Sequence, residues 1–241
     1  TSTGVLNPLA EISKIVHNNG ALLMADCITS AGGDLVEMDK WGIDFFISGS
    51  QKCYGLPPGL AFIAFSEKAE DVMRNRNLNQ DFYSDLIMSS DVNLGITPFT
   101  PPVGLIYGLQ ETLSIILEEG MEKRIARHRK MGMLYRNAMT NLGLELFAQE
   151  GYRSNTVTTT KVPDNVNPNT LSKSALELGI MIAGGQGSMK GKIFRVGHMN
   201  MVGPRELLTI VGVIEIALKQ AGASIQLGDG VRIIQEGLIG K

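Results

Sequence analysis

The sequence predicts an α/β protein. Its first part reads as a portion of a larger domain with a mostly parallel sheet flanked by helices, and its second part as a smaller C-terminal α+β domain. Three observations predict this. Apolar strand-like runs alternate with amphipathic helical stretches through residues 8–76. From residue 143 the pattern changes to alternating strands interleaved with helices. The chain also opens almost directly on a helix, with no strand leading into it, as the middle of an α/β domain would. The expected division is 1–102 for the large-domain portion, 103–120 for a connecting helix and 121–241 for the small domain.

The elements follow in order. Asn7 reads as the N-cap and Pro8 as the first position of a helix over 8–19, with Ile12, Ile15 and Val16 as its apolar stripe and Gly20 past its end. A strand over 21–26, a turn at Gly32-Gly33, an amphipathic stretch near 34–41 and a strand over 43–48 come next. A loop with Pro57-Pro58-Gly59 leads to a strand over 60–65. Continuous apolar strands between helices predict a sheet buried on both faces. Glu67 to Arg76 reads as a helix, and 77–100 as a long irregular loop of the kind that carries function or forms an interface. Pro101-Pro102 precede a long helix with Leu105, Leu109, Leu113 and Ile116 facing inward, followed by a second over 121–142. Strands are expected at 144–147, 157–162, 180–183 and 192–197. Helices are expected at 169–178, with Asn169 as cap, and from Pro204 to 220, while 223–241 shows no strong element.

Composition excludes several classes. With 44% hydrophobic and 19% charged residues and a net charge of −2, the chain has no electrostatic case for nucleic acid or an anionic membrane. The basic run Lys123–Lys130 lies among Glu118, Glu119 and Glu122 and reads as a solvated helix face. No apolar run approaches the roughly 20 residues of a membrane span. Two cysteines, Cys27 and Cys53, in a chain of 241 residues indicate a reducing, cytoplasmic compartment. His17, His128 and His198 lie on dissimilar elements without metal-ligand spacing, so no metal is expected.

Two residues carry chemistry. Lys52 follows the strand Ile43–Ile47 through Ser48-Gly49-Ser50-Gln51, and Asp26 ends the strand Ala21–Ala25. The carboxyl ends of strands in an open α/β sheet face the crevice where such sheets bind ligands. Lys52 is either a surface lysine after a strand or a partly desolvated amine suited to a Schiff base. Gln51 offers an amide to an anionic group, and Gly49 and Ser50 allow close approach to the backbone. Asp26 needs a partner, either a loop N–H or a protonated heteroaromatic nitrogen. Pyridoxal 5'-phosphate needs such an acid to keep its ring protonated, and the Lys–Asp pair fits that cofactor best. Arg195 on its own is a surface or ion-pair residue.

Ile43-Asp44-Phe45-Phe46-Ile47-Ser48-Gly49-Ser50-Gln51-Lys52 followed by Gly59-Leu60-Ala61-Phe62-Ile63 resembles the lysine-attachment signature of class V, fold-type I pyridoxal-phosphate aminotransferases. With Thr1-Ser2-Thr3-Gly4-Val5 and Asp26-Cys27-Ile28-Thr29-Ser30-Ala31-Gly32-Gly33, the chain is most similar to the alanine–glyoxylate (serine–pyruvate) branch, up to about residue 220. The resemblance implies a transaminase moving an amino group from Ala or Ser to glyoxylate or pyruvate. Lys52 would form the Schiff base and shuttle the proton, and Asp26 would pair with the pyridine nitrogen. Ile28 would pack on the ring and Gln51 would touch the phosphate. Thr1 would lie near the cofactor, and Thr100 would reach the neighbouring subunit's phosphate in a homodimer whose loop 77–100 crosses over. Arg195 would grip the substrate carboxylate. Thr97 stands where the branch often has Tyr. The turn Gly184–Gly187 reads as a turn near the substrate mouth rather than a phosphate loop. Alternatives are an aspartate or phosphoserine aminotransferase, a cysteine desulfurase (which needs a later cysteine that the chain lacks) or an inactive fragment. The family's phosphate-binding turn and stacking ring are absent, so the sequence is expected to be part of a protein longer by roughly 100 to 150 residues.

Overall fold

A computed structural model describes residues 2–76, 81–90 and 97–240. The described chain divides into two compact units. One comprises residues 2–7, Thr29–Leu35 and everything from Ile116 onward; the other comprises Pro8–Ile28 and Val36–Ile115. The short segments 2–7 and 29–35 thus group with the C-terminal unit although in sequence they adjoin elements of the other.

The Pro8–Ile115 unit holds α1 (Leu9–Asn18), β1 (Met24–Asp26), α2 (Met38–Trp41), β2 (Phe45–Gly49), β3 (Ala61–Phe65), α3 (Glu67–Asn75), α4 (Leu86–Ser90) and most of α5 (Val103–Glu119). Its sheet has the order β1-β2-β3. β1 and β2 are parallel, with Asp26 opposite Ile47. β3 returns antiparallel, with Gly49 opposite Ala61. The β2–β3 connection contains no helix, and a short loop can only bring the chain back antiparallel.

Register is fixed at the amino ends of β1 and β2 by Asp44, which is buried. Its Oδ2 accepts from the Leu23 amide and from His17 Nε2, each at 2.8 Å, and its Oδ1 accepts from Ser66 Oγ at 2.9 Å. Ser66 Oγ in turn caps α3 by accepting from the Ala69 amide. Burial pushes the Asp44 carboxyl up, but the bonds from His17, Leu23 and Ser66 outweigh it and hold it below the usual value. At the start of α1 the helix begins after Pro8, and no side chain caps it, so Asn7 is not the cap. The expected burial on both sheet faces is also not met. Met24 is 62% and Ile63 42% exposed, because apolar runs specify strands without supplying their cover.

The C-terminal unit adds α6 (Met121–Asn141), β4 (Val157–Lys161), α7 (Pro168–Glu177), β5 (Ala183–Gly184), β6 (Ile193–Gly197), α8 (Pro204–Gln220) and α9 (Asp229–Ile239). Its antiparallel sheet has the order β4-β6-β5. The core lies here: Tyr135, Met139, Leu171, Phe194, Leu207, Ile214, Leu218 and Ile234 are fully enclosed. Residues 144–147 form only a single bridge, Leu146 to Thr160, not a strand. α7 is capped by Asn167, whose Oδ1 accepts from the Asn169 and Thr170 amides, two residues before the expected cap.

α9 falls where no strong element was expected. Val231, Ile234 and Leu238 form its inward stripe. Its first turn is capped from afar by Glu215 of α8, a buried carboxylate that accepts from the amides of Gly228 (2.8 Å), Gly230 (2.5 Å) and Val231 (3.2 Å). A helix N-terminus favours an anion, which here comes from a residue distant in sequence.

A buried polar cluster ties α6 to the loop after β6. Glu119 accepts from Arg124 and Arg127, and these guanidinium bonds, led by Arg127, hold its carboxyl down at about 2. Arg124 Nη2 donates to Asn200 Oδ1 and Arg127 Nη1 to the Asn200 carbonyl. His128 is enclosed. Its Nδ1 lies 2.7 Å from the Arg124 carbonyl and its Nε2 accepts from the Asn200 amide at 2.9 Å, an arrangement that only the neutral Nδ1–H ring satisfies. Burial lowers its pKa to about 4. Among the described residues no helix is long and apolar enough to cross a membrane.

Two outcomes follow for measurement. Glu215→Ala should lower stability by about 3 kcal/mol, because it strands buried amides at the start of α9; equilibrium denaturation reads this. His128 binds protons in the unfolded chain near pH 6.5 but resists them when folded, so stability should fall as pH drops from about 6.5 towards 4. Its share is about 3 kcal/mol, and His128→Gln should flatten that part of a melting-temperature profile, whereas an unchanged profile would show that His128 does not set it.

Candidate active site

The site is built at the carboxyl edge of the β1–β2 pair. The strands run the same way, and their last rung is the Cys27 amide donating to the Ile47 carbonyl at 2.8 Å. Asp26 therefore ends β1 beside the point where β2 runs on through Gly49 to Lys52. The two residues that sequence reasoning paired thus come from adjacent strand ends.

Asp26 is exposed, and its Oδ1 accepts from the Ile28 amide at 3.0 Å. This meets the loop N–H alternative with one oxygen and fixes the carboxylate's orientation. Among the described residues Oδ2 has no partner and remains available. Ile28 is half-buried. Lys52 is half-buried, and its amine forms no hydrogen bond or ion pair among the described residues.

Ser50 explains why Lys52 is held where it is. It is fully enclosed. Its amide donates to the Leu60 carbonyl at 3.1 Å and its carbonyl accepts from the Leu56 amide at 3.0 Å. Its hydroxyl donates to the Pro57 carbonyl at 2.8 Å and accepts from the Leu60 amide at 3.1 Å. All its polar groups are spent closing the loop 51–59. Ser50 was expected to leave room for a ligand; the structure makes it the clip of the lysine loop instead, a role that a lone serine in sequence does not signal. The space at Gly49 is taken by Gln51: a Cβ there would lie 3.0 Å from Gln51 Oε1, so the exposed Gln51 amide folds back over the strand end.

The remaining expected residues have settings of their own. Thr100 is exposed, and Thr97 Oγ1 donates to the Phe99 carbonyl. Arg195 lies on β6 of the C-terminal unit, half-buried, with Nε donating to the Gly184 carbonyl at 3.0 Å. That bond ties it to the Gly184–Gly187 turn. Thr1, residues 77–80 and 91–96 of the 77–100 loop, and Lys241 lie outside the described residues.

An amine and an acid that follow adjacent parallel strand ends are a pairing suited to pyridoxal phosphate, the amine for a Schiff base and the acid for the ring nitrogen. The sequence matches the family described as aminotransferase class-V over residues 1–202, and the chain belongs to that family. An uncharacterised aminotransferase of Methanocaldococcus jannaschii is 40% identical over 99% of this chain and 63% of its own length. An L-aspartate–glyoxylate aminotransferase of Paracoccus denitrificans is 36% identical over 98% of the chain and 61% of its own length. The crystal structure of a ureidoglycine–glyoxylate aminotransferase from Bacillus subtilis superposes with a TM-score of 0.92 at 30% identity, over 99% of this chain and 63% of that one. The chain therefore spans a little under two thirds of the length of these relatives. Enzymes of the family depend on pyridoxal phosphate.

The residues present fit that cofactor. Among the described residues Asp26 Oδ2 and the Lys52 amine have no partner, which leaves one for a ring N–H and the other for a Schiff base, and the Gln51 amide folds over Gly49 beside them. Ser50→Ala should cost about 1–3 kcal/mol, since it strands the Leu60 amide and the Pro57 carbonyl. Hydrogen exchange at the Leu60 amide should accelerate, and unchanged protection there would show that the clip is not what closes the loop.

Proposed function

We propose that the full-length protein is a pyridoxal-phosphate-dependent transaminase that moves an amino group from a small amino acid, Ala or Ser, to glyoxylate or pyruvate. The observation that carries this reading is the placement of Asp26 and Lys52 at the carboxyl ends of adjacent parallel strands. When bound, the cofactor supplies a carbonyl carbon that an amine can attack and a protonated ring that withdraws electron density.

The chain's own residues do the rest. Lys52 would hold the cofactor through its amine, and that amine would serve as the base that takes the substrate Cα proton and as the acid that returns it in a 1,3 shift. Its loop is closed, so the amine moves by side-chain torsion alone. Asp26 Oδ2 would accept from the ring N–H while the Ile28 N–H orients Oδ1. Ile28 covers one ring face. The Gln51 amide would donate to the phosphate, and Thr1 would be a further contact of the cofactor. Arg195 supplies a planar guanidinium whose two N–H edges match a substrate carboxylate, and its present partner is a carbonyl that a carboxylate can outcompete. Thr100 serves the phosphate of a neighbouring subunit, which makes the working form a homodimer with shared sites.

Glyoxylate as acceptor is supported by its place in the names of two similar proteins. Aspartate as donor is the second reading, favoured by the name of the Paracoccus relative. The domain division 1–102, 103–120 and 121–241 belongs to this proposal, with the long helix as connector. So does a cytoplasmic location, where the buried Cys27 and Cys53 remain thiols.

Full-length protein loaded with the cofactor should show a visible absorbance that Lys52→Ala abolishes, and amino acid should bleach it with release of a 2-oxo acid. Asp26→Ala should lower turnover by a factor on the order of 100 or more by removing the ring's acid partner. Persistence of the absorbance in Lys52→Ala, or no half-reaction with Ala, Ser or Asp, would sink the proposal.

A further inference from the structure

Arg136 of α6 and Arg153 of the loop before β4 line one small cavity within the C-terminal unit. Gly4, Leu146, Ala148 and Val157 supply other walls, and none of the described residues lining it is an acid. Both arginines are half-buried, and neither forms an ion pair among the described residues. Arg136 Nη1 donates to the Ser154 carbonyl at 2.8 Å, and its Nη2 lies 3.5 Å from Asn155 Oδ1. Arg153 Nε donates to the Ala148 carbonyl at 3.1 Å, which leaves its two terminal nitrogens without a partner among the described residues. Asp34 attracts Arg136 electrostatically, but its oxygens are taken: Oδ1 accepts from Asn155 Nδ2 at 2.6 Å and Oδ2 from the Asn155 amide at 3.2 Å. Two cations therefore share a cavity with no anion set against them. Burial first, and then the charge of Arg153, push the Arg136 guanidinium below its ordinary pKa.

The backbone around the cavity is fixed. Segment 2–7 runs along residues 152–154: the Leu6 amide donates to the Tyr152 carbonyl at 2.8 Å, the Ser154 amide donates to the Gly4 carbonyl at 2.9 Å, and Val5 bridges to Arg153. Gly4 has φ of +73°, and a Cβ there would come within 3.1 Å of the Thr159 amide, so only glycine lets this segment press against β4. The space left admits the centre of one water-sized sphere, about 10 Å³, which is room for one small guest. A phosphate or a carboxylate, several atoms across, exceeds it. A water there would bring acceptors but no charge. A monatomic anion would take charge-assisted hydrogen bonds from both guanidiniums, and the apolar walls strengthen that attraction.

We propose that Arg136 and Arg153 form the seat of a halide-sized inorganic anion, which fastens segment 2–7 to the rest of the C-terminal unit.

The test uses the full-length protein and chloride itself. Melting temperature is read as gluconate is replaced by chloride at constant ionic strength, in wild type, Arg153→Gln, Arg153→Lys, Arg136→Gln and Arg232→Gln. The wild-type value should rise saturably, by about 2–4 °C. Arg153→Gln and Arg136→Gln should lose the rise, and Arg153→Lys should keep part of it because the charge stays. Arg232→Gln should keep all of it, since that arginine pairs with Glu236 on α9. Crystals soaked in bromide should give an anomalous diffraction peak between Arg136 and Arg153. No chloride-dependent rise in wild type overturns the proposal, whether the cavity stays empty or a carboxylate from the rest of the protein fills it. A rise that survives Arg153→Gln overturns it as well, because the salt then acts elsewhere, and so does bromide found only at other places. If Arg136→Gln does not fold, the two Arg153 variants decide in the same way. None of these measurements involves Lys52 or the cofactor.

Discussion

Everything proposed for this protein depends on the parallel pairing of β1 and β2. Parallel strands bring their carboxyl ends to one edge, so an acid ending one strand and a lysine following the next become neighbours although they are far apart in sequence. The pairing is locked at the opposite end. Asp44 accepts from the Leu23 amide, while the Asp44 and Phe45 amides donate to the Leu23 carbonyl. A slip of one residue would turn every side chain to the other face and separate Asp26 from the Lys52 loop. A buried carboxylate at the amino end thus determines what can happen at the carboxyl end.

Each unit is stabilised internally by its own means. The C-terminal unit has a continuous apolar core in which α6, α8 and α9 interlock, pinned by Glu215 and by the Glu119–Arg124–Arg127 cluster. The Pro8–Ile115 unit has fewer enclosed apolar residues, and Val103, Ile106 and Tyr107 of α5 are exposed. Its precision comes from polar fixings at chosen points, Asp44 and Ser50, where a few directional bonds set the backbone that the site requires.

Much of this was legible in the sequence. Apolar runs marked β1, β2 and β3, helical spacing marked α5, α6 and α8, and the order of residues around Asp26 and Lys52 pointed to their shared edge. What was not legible depended on partners far away in the chain. α9 escaped notice because its stabilising anion is Glu215, on another helix, and because Gly228 and Gly230 disguise its start. The cap of α7 lay at Asn167 because only its side chain reaches the following amides. Residues 144–147 alternate as a strand would but gain only one bridge. The role of Ser50 is invisible locally, since a serine between glycine and glutamine signals a turn and nothing more. Sheet burial was over-read, because an apolar run gives a strand's chemistry and not the identity of what covers it.

The clip at Ser50 has one more consequence. With the backbone from Gly49 to Leu60 closed on itself, Lys52 works as an arm on a fixed pivot. Its reach is the length of four methylenes swung about a stationary Cα, and no loop breathing is needed to change what the amine touches. Shortening that arm by a single carbon, with the charge kept, would therefore not be absorbed by the main chain. The geometry of the site is calibrated to one side-chain length, a constraint that comes from the serine two positions before the lysine.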